Sequence, residues 1–264
     1  MQTRRIVSSV LLIALIIVGI QIDWLCGLLV ALFIIGGLYE FFTMLEHKGI
    51  SLYKYCGIGI GAIIPFSLIF RFELTKSWEL LFIVLALLFL ILMQFRRREN
   101  SGVIVGISTT LFGILYVSWF LSFLIKIRYL AGGLGLISSI LLITKLGDIG
   151  AYLVGSRFGK RPLIPRISPN KSVEGALGGL IFSILGALLS RAFLGFAYGH
   201  LFFLGLFFGL LSQLGDLSES LMKRDCQVKD SGSIFPGLGG ALDSVDSLLF
   251  TAPVFYFYMS IILK

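Results

Sequence analysis

Residues 216–247 read DLSESLMKRDCQVKDSGSIFPGLGGALDSVDS and lie between two strongly apolar runs, 201–214 and 248–262. The rest of the chain is also apolar: of its 264 residues 57% are hydrophobic and 14% are charged, and the mean hydropathy is +0.99. Soluble domains contain only about 45–50% apolar residues. The sequence therefore predicts an integral membrane protein in which this long polar stretch carries the function.

The acidic residues of this stretch occur in two pairs. Asp243 and Asp246 are three residues apart, so a helix that begins near Gly240 presents both carboxylates on one side of its first turns. Asp216 and Glu219 repeat the spacing at the end of the preceding apolar run. Facing carboxylate pairs repel each other unless a divalent cation, protons or basic groups lie between them. We therefore expect a magnesium site that serves phosphate chemistry.

A helix needs about 20 apolar residues to cross the bilayer core. By this measure the chain is an all-α, polytopic membrane protein with about nine transmembrane helices. The candidate spans are 5–22, 24–45, 53–70, 78–95, 103–125, 134–154, 176–196, 201–221 and 240–263. The first span is expected to be retained, because no small-residue cleavage site follows it. We divide the chain into N-terminal transmembrane helices, 1–125, and a C-terminal catalytic region, 126–264.

The basic residues predict the orientation of these spans. With a cytoplasmic N-terminus, 15 Lys and Arg residues fall in cytoplasmic segments and six in outer segments, while Lys145 lies within a span. This positive-inside bias places the polar loops of the second half at the cytoplasmic face of the inner membrane. Basic loops that face anionic lipid account for the net charge of +8, so we expect no nucleic-acid partner.

Ionisable residues inside predicted spans are costly and often functional. The sixth span carries Lys145, Asp148 and Tyr152 on one helical face, and an internal ion pair between Lys145 and Asp148 is the alternative to a functional site. Glu40 lies within the second span. For Glu40 a structural hydrogen bond is favoured over a catalytic role, because no partner is visible nearby.

The loop after the sixth span combines cations with three prolines. Its basic residues are Arg157, Lys160, Arg161, Arg166 and Lys171. Proline restricts the backbone, so the loop can present these cations to a polyphosphate at a low entropic cost. Ser172 is placed to cap the seventh helix, whose first amides then favour an anion. Glu174 in that first turn is compatible with support of the cap.

Two blocks of the second half form a specific pattern. The first runs Asp148…Ala151-Tyr152…Gly155…Gly159-Lys160 and then Ser168-Pro169-x-Lys171-Ser172-x-Glu174-Gly175. The second runs Ser220-x-x-Lys223-Arg224, four residues, Lys229-Asp230, and then Pro236-Gly237-x-Gly239-Gly240-x-x-Asp243-x-x-Asp246-Ser247. Over roughly its last 120 residues the chain therefore resembles the phosphatidate cytidylyltransferase (CDP-diacylglycerol synthase) family.

The resemblance implies that CTP reacts with phosphatidic acid, a membrane lipid, to give CDP-diacylglycerol and pyrophosphate with the help of Mg²⁺. It implies that the catalytic residues are Asp216, Lys223, Arg224, Lys229, Asp243 and Asp246. The expected metal ligands are Asp216, Glu219, Asp243 and Asp246. A hydrogen bond from the Ser220 hydroxyl is the alternative for Glu219. The expected substrate-binding residues are Asp148, Tyr152, Lys160, Ser168, Lys171, Ser172 and Glu174.

This chemistry suits the residues. The phosphate of phosphatidic acid is already an anionic nucleophile, so its attack on the α-phosphorus needs positioning and charge neutralisation rather than a covalent intermediate. Three positions depart from the family: Leu238 replaces the usual His, Ala241 a larger aliphatic residue and Ser244 an Arg. The His and Arg are potential phosphate donors. We expect metal binding to survive their loss, whereas turnover depends on the remaining cations.

Other functions compatible with the sequence are a catalytically impaired relative, a CTP-dependent lipid kinase, a CDP-alcohol phosphotransferase and a membrane transporter. A transporter is disfavoured because no inverted repeat is visible and the charges crowd toward one membrane face. The product would separate the enzymes: CDP-lipid, CDP or CMP. Glycine-rich helix faces make a homodimer possible, although the same glycines can pack within one subunit.

Overall fold

The computed structural model describes residues 13–71, 78–95, 101–234 and 239–263. The first predicted span begins outside these ranges, and its residues 13–21 are helical. Leu238 also lies outside the described residues, so its departure from the family pattern stays a sequence observation.

Helices make up most of the described chain. In the first half they are α1 (Asp23–His47), α2 (Lys54–Ile69), α3 (Trp78–Gln94) and α4 (Val103–Tyr129), which contains a π-helical segment at Ile114–Trp119. The second half contains α5 (Gly133–Phe158), the strands β1 (Pro162–Ile164) and β2 (Ser168–Ser172), α6 (Val173–Leu189), α7 (Arg191–Leu194), α8 (Tyr198–Asp225) and α9 (Ala241–Ile262).

Five of the helices, α1, α4, α5, α8 and α9, are long and apolar enough to cross a membrane. The helices α2, α3 and α6 include shorter apolar stretches of 10–17 residues. Large apolar side chains such as Phe203, Ile104 and Leu189 are exposed on the outside of the bundle, which suits contact with lipid. A nearly all-α membrane protein is therefore confirmed, while nine spans and a cytoplasmic N-terminus stay predictions.

Helix α1 forms the centre of the apolar core. Its Ile34, Leu38 and Phe42 are fully buried among residues of α4 and α9. Helix α2 reaches α1 through glycines, because a Cβ on Gly57 would lie only 2.8 Å from the Phe42 ring and one on Gly61 would collide with Leu38. These glycines therefore pack within one subunit, which was the alternative to their use in a homodimer.

The second half is held together in the same way. Helix α6 packs between α5 and α8, and a Cβ on Gly178 of α6 would lie 2.5 Å from Cβ of Val154 on α5. On the other side of α6, a Cβ on Gly209 of α8 would lie 2.7 Å from Cβ of Ser183. Small residues let helix backbones approach closely where lipid provides no hydrophobic driving force.

Two features of the structure were not expected from the sequence. The loop between α5 and α6 is a two-stranded antiparallel hairpin in which Pro162 pairs with Ser172 and Ile164 with Ser168. Strands this short have no alternating apolar pattern by which they could be recognised. In addition, α4 continues through position 125, so the proposed boundary between the two halves falls within a helix.

Candidate active site

The predicted site residues lie at one end of the bundle, where α5 and α8 end and α6 and α9 begin. Helices α8 and α9 touch there: a Cβ on Gly215 would lie 2.5 Å from the carbonyl oxygen of Asp246. Because Gly215 has no side chain, the two helices approach closely at this point. Asp216, the next residue, therefore lies within electrostatic reach of Asp246. The two acidic pairs that are separate in the sequence therefore form one cluster.

Lys223 joins these pairs. Its Nζ lies 2.6 Å from Oδ1 of Asp243 and 3.3 Å from Oε1 of Glu219, one turn earlier on α8. The other oxygen of Asp243, Oδ2, accepts hydrogen bonds from the backbone N–H groups of Gly240 at 2.9 Å and Ser231 at 3.1 Å. Both Asp243 oxygens are thus occupied, and this carboxylate ties α8, α9 and the intervening loop together.

Glu219 and Asp246 have far fewer partners. Glu219 is 0% exposed and ion-paired with Lys223, but neither of its oxygens has a hydrogen-bond partner among the described residues, so the alternative bond from Ser220 is not formed. Asp246 is buried beside it, and the Asp246 Oδ1 accepts the N–H of Ser247 at 2.6 Å. Tyr116, from the π-helical segment of α4, lies within electrostatic reach of both, and its buried hydroxyl is likewise unpaired in the described structure.

Lys145 connects α5 to α9. Its Nζ lies 3.0 Å from Oδ2 of Asp148, and it donates to the Ser244 carbonyl and the Ser247 hydroxyl at 3.1 Å each. The internal ion pair considered for Lys145 and Asp148 is therefore present. It is also part of the site, because Asp246 lies within electrostatic reach of both residues.

The hairpin contacts the end of α8 at two points. The Lys171 Nζ lies 2.5 Å from Oδ2 of Asp216, and Nε of Arg224 donates to the Ile167 carbonyl at 3.0 Å. Neither Asp216 nor Lys171 is fully buried, since their side chains are 33% and 30% exposed. The hairpin therefore lies beside the acidic cluster and leaves it open to an incoming ligand.

Glu174 and Ser172 shape the hairpin rather than facing the cluster. Oε2 of Glu174 accepts the backbone N–H groups of Lys160 at 3.0 Å and Arg161 at 3.2 Å. The Ser172 Oγ accepts the N–H of Gly175 at 3.0 Å, so this residue caps α6 as predicted. The role of Glu174 is thus to fix the backbone that carries two of the cations.

Four predicted residues lie at the rim of the site. Tyr152, Lys160 and Lys229 are exposed, and Ser168 is half-buried at the start of β2. Among the described residues none of these four side chains makes an ion pair or a hydrogen bond. They are available for a ligand, but the structure does not join them to the acidic cluster.

The cluster has more negative than positive groups. When all are ionised, five carboxylates face three ammonium groups and two negative charges remain uncompensated. The members are Asp148, Asp216, Glu219, Asp243 and Asp246, with Lys145, Lys171 and Lys223. Within the described ranges no three His, Cys, Asp or Glu side chains form a ready-made metal cage.

Sequence reasoning missed Tyr116, from the first half of the chain, and Ser231, from the polar stretch itself. Tyr116 sits in an apolar span where a phenol is unremarkable, and only the wider helical turn at Ile114–Trp119 brings it to the acids. Ser231 lies in the quoted polar stretch, yet nothing in its spacing relates it to the first half of the chain. A single sequence carries no signal from which contacts between residues far apart along the chain could be predicted.

Comparison with known proteins extends the pattern over the whole chain. A sequence model described as the cytidylyltransferase family matches residues 2–262. A phosphatidate cytidylyltransferase of Synechocystis sp. is 33% identical over 100% of this chain and 98% of its own length. One from Thermotoga maritima is 31% identical over 99% and 97%, and one from Bacillus subtilis is 43% identical over 56% of each chain.

Proposed function

The chain belongs to the cytidylyltransferase family, and from this premise we propose that it is a phosphatidate cytidylyltransferase. It transfers the cytidylyl group of CTP to phosphatidic acid and releases CDP-diacylglycerol and pyrophosphate, a step of phospholipid synthesis. Relatives of that name match the chain almost from end to end. A lipid kinase, an alcohol transferase and a transporter are not favoured by any observation.

The observation that carries the proposal is the contact between Lys171 and Asp216. It joins Lys171 of the first motif block, on strand β2, to α8, the helix on which the second motif block begins, and so brings both blocks to one charged site. A reaction between two polyanionic substrates needs such a mixture, because cations must hold the phosphates while acids hold a metal. The two side chains are 30% and 33% exposed, so a triphosphate can compete with Asp216 for the Lys171 ammonium.

In this proposal the two substrates reach the site from different sides. Lys160, Arg161 and Lys171 on the hairpin bind the triphosphate of CTP, which arrives from the aqueous side. The phosphate of phosphatidic acid reaches the same acids from the lipid side, while its acyl chains stay among the exposed apolar side chains of the bundle. No general base is needed, since the attacking phosphate oxygen is ionised at neutral pH. Lys223 and Arg224 offset the negative charge that builds up on pyrophosphate.

Magnesium fits the acids that are present. Buried carboxylate oxygens without hydrogen bonds are costly, and Glu219, beside Asp246, has two of them, with Lys223 as its ion-pair partner. A divalent ion would neutralise the two excess charges, and oxygen atoms are the ligands it prefers. Asp216, Glu219 and Asp246 would hold it, with substrate phosphates and water completing its shell. Bound there, the ion would polarise the phosphates and lower the cost of negative charge in the transition state.

Asp243 differs from the other predicted metal ligands in its hydrogen bonds. Its two oxygens already accept three hydrogen bonds, and one of these comes from Lys223. Direct contact with magnesium would require Lys223 to leave. Asp243 as a ligand stays a prediction, and its observed contacts favour a role in holding the loop and α9.

Two further features belong to the proposal. The protein lies in the inner membrane with its active site at the cytoplasmic face, where CTP is made, and it has about nine spans. The support for sidedness is the basic hairpin at the active-site end of the bundle. The homodimer considered from the sequence stays a prediction, because the glycines that suggested it pack within the subunit.

The decisive experiment uses the purified full-length protein in mixed micelles with phosphatidic acid, CTP labelled at the α-phosphate and Mg²⁺. We expect label in the lipid phase and pyrophosphate in the aqueous phase, and none of either after EDTA. The substitution Asp246→Asn keeps the size of the side chain and removes its charge. We expect it to lower turnover by about 100-fold or more, as for other groups that stabilise transition-state charge.

Two results would contradict the proposal. Folded wild-type protein that leaves the lipid phase unlabelled would exclude the activity, and release of CDP instead of pyrophosphate would indicate a kinase. Full magnesium-dependent activity of Asp246→Asn would leave the transfer reaction in place but refute the ligand assignment. Glu46→Gln is the matched control, because Glu46 pairs with Lys54 outside the acidic cluster.

A further inference from the structure

Glu40 is a buried acid in the middle of the chain's first half, and its partners lie about 200 residues later. It is 3% exposed on α1. Its Oε2 accepts the backbone N–H of Leu242 at 3.0 Å and the hydroxyl of Ser231 at 3.2 Å. The hydrogen-bonding role expected for Glu40 is therefore present, and both donors belong to the segment that carries Asp243 and Asp246.

Helix α9 begins without a side-chain cap of its own. Its N-cap residue is Gly240, so the first amides of the helix need acceptors from elsewhere. Glu40 accepts from Leu242, and Oγ of Ser231 accepts from the N–H of Asp243 at 3.4 Å. A residue of α1 and a residue of the preceding loop thus replace the missing cap, and the negative charge of Glu40 is favourable at a helix N-terminus.

The space around the Glu40 carboxylate fits glycine only. A Cβ added to Gly232 would collide with Oε1 of Glu40, and one added to Gly240 would collide with Oε2. The backbone of the loop therefore passes on two sides of the carboxylate. This close approach fixes the loop, whereas a hydrogen bond to a surface acid would leave it free to move.

The first turn that Glu40 caps is the turn that presents Asp243, and Asp246 follows one turn later. Asp243 binds Lys223 of α8, and Asp246 lies beside Glu219. A shift of the start of α9 would therefore move two acids of the cluster relative to the acids on α8. Displacements of about 1 Å are enough to lower catalytic rates by about 100-fold.

We propose that Glu40 is a positioning residue for the transfer reaction: it anchors Ser231 and the start of α9, and so sets the place of Asp243 and Asp246. The proposal rests on the proposed function for its catalytic readout. Glu40 itself reaches neither substrate, because its carboxylate is enclosed by the protein. It links the N-terminal half of the chain, which carries none of the predicted site residues, to the reaction.

The geometry predicts an order among substitutions. Both donors converge on one oxygen, so Glu40→Gln can keep both hydrogen bonds and should retain kcat within about threefold. Glu40→Ala removes the acceptor altogether and should lower kcat by about 100-fold, with a smaller change in KM for CTP because the hairpin cations are untouched. Glu46→Ala, on the same helix, should keep the wild-type kcat, since Glu46 contacts Lys54 outside the acidic cluster and Lys54 retains its hydrogen bond to the Thr43 hydroxyl.

The experiment combines kinetics with hydrogen exchange of the peptide that covers residues 229–247. Glu40→Ala should show both the loss of kcat and faster exchange of this peptide, while Glu40→Gln and Glu46→Ala show neither. Wild-type kcat in folded Glu40→Ala would overturn the proposal. So would a loss confined to thermal stability, with kcat per folded molecule unchanged, because that describes a merely structural residue.

A second variant covers the case in which Glu40→Ala does not fold. Ser231→Ala removes one donor and leaves the bond to Leu242, so it should show a smaller loss of kcat and the same faster exchange. Normal kcat and exchange in Ser231→Ala would then refute the proposal. Failure of the proposed function would look different: the wild type itself would form no CDP-lipid, while the exchange pattern of the variants would still report on the anchor.

Discussion

At the scale of single residues, Lys223 is a cation that neutralises carboxylates inside the site. Its ammonium lies between Asp243 and Glu219, and its side chain is only 13% exposed. Removing one partner of a buried ion pair leaves the other charges uncompensated, which costs far more than the pair itself contributes. Lys223 therefore stabilises the fold as well as the phosphates.

We predict that Lys223→Met destabilises the protein by about 3 kcal/mol and abolishes detectable transfer. Thermal unfolding in detergent and the labelled-CTP assay measure the two effects. Lys48→Met is the control, because the Lys48–Asp225 pair is exposed and worth less than about 1 kcal/mol. Equal stability of the two variants would show that the Glu219 and Asp243 charges are neutralised by another group.

Residue types alone predicted most members of the cluster but not which partners each side chain has. Spacing placed Asp243 and Asp246 in the first turns of a helix, as the structure has them, whereas the helix of Asp216 continues to Asp225. It could not show that Asp243 is saturated with hydrogen bonds while Glu219 has none, because that depends on the position of α8 relative to α9. Lys145 was visible as a charge in a span, yet its contacts with Ser244 and Ser247 lie about 100 residues away.

At the scale of elements, the three-helix unit of α5, α6 and α8 depends on glycine. Gly178→Ala would place a methyl group 2.5 Å from Cβ of Val154 and should cost about 1–3 kcal/mol through overpacking. Gly59→Ala on α2 is the matched control, since a Cβ there has nothing within 4 Å and alanine favours helix by about 1 kcal/mol. Thermal unfolding in detergent should therefore separate the two variants in opposite directions, and a shift of equal sign would contradict the packing argument.

The hairpin between α5 and α6 is the other element on which function depends. Glu174→Ala removes the acceptor of the Lys160 and Arg161 amides. We expect the hairpin to loosen and KM for CTP to rise by about tenfold, with a smaller effect on kcat, because cations on a flexible loop must be ordered when the nucleotide binds. Kinetics at varied CTP concentration tests this, and Glu174→Gln, which keeps an acceptor, should stay close to wild type.

The helices were predictable and the hairpin was not, for a physical reason. Long apolar runs between charged loops identify membrane helices by length alone, and Ser172 at the start of α6 follows a local capping rule. The strands contain three and five residues, and their pairing is stabilised by Glu174, which lies outside them. The sequence of the strands alone therefore does not reveal the contacts that stabilise the hairpin.

At the scale of the whole molecule, two ion pairs define the ends of the bundle. Arg128 pairs with Asp23 where α4 ends and α1 begins, and Lys48 pairs with Asp225 just after α1 and at the end of α8. The two pairs therefore lie at opposite ends of α1, a helix that is long and apolar enough to cross a membrane. The acidic cluster is at the end marked by Lys48 and Asp225, which is the end where the positive-inside rule expects cytoplasm.

Sidedness is testable with two residues of equal exposure. Phe158, the last residue of α5, and Tyr198, the first of α8, are each 60% exposed, and they lie at opposite ends of the bundle. In a variant without native cysteines, Tyr198→Cys should react with a membrane-impermeant maleimide added to intact cells. Phe158→Cys should react only after the membrane is opened, since 15 of the 22 Lys and Arg residues favour its side as cytoplasmic.

The native thiols have to be replaced for this test mainly because of Cys56, which is half-buried. Burial raises the pKa of the Cys226 thiol and keeps it unreactive. Labelling of Phe158→Cys alone in intact cells would reverse the orientation and put the CTP site outside the cytoplasm, where the nucleotide is not supplied. Labelling of both would show that the two ends do not lie on opposite faces, which contradicts a membrane-crossing α6, the longer helix between the two positions. Only the predicted pattern gives the hairpin cations access to CTP while the acyl chains of phosphatidic acid stay in the bilayer.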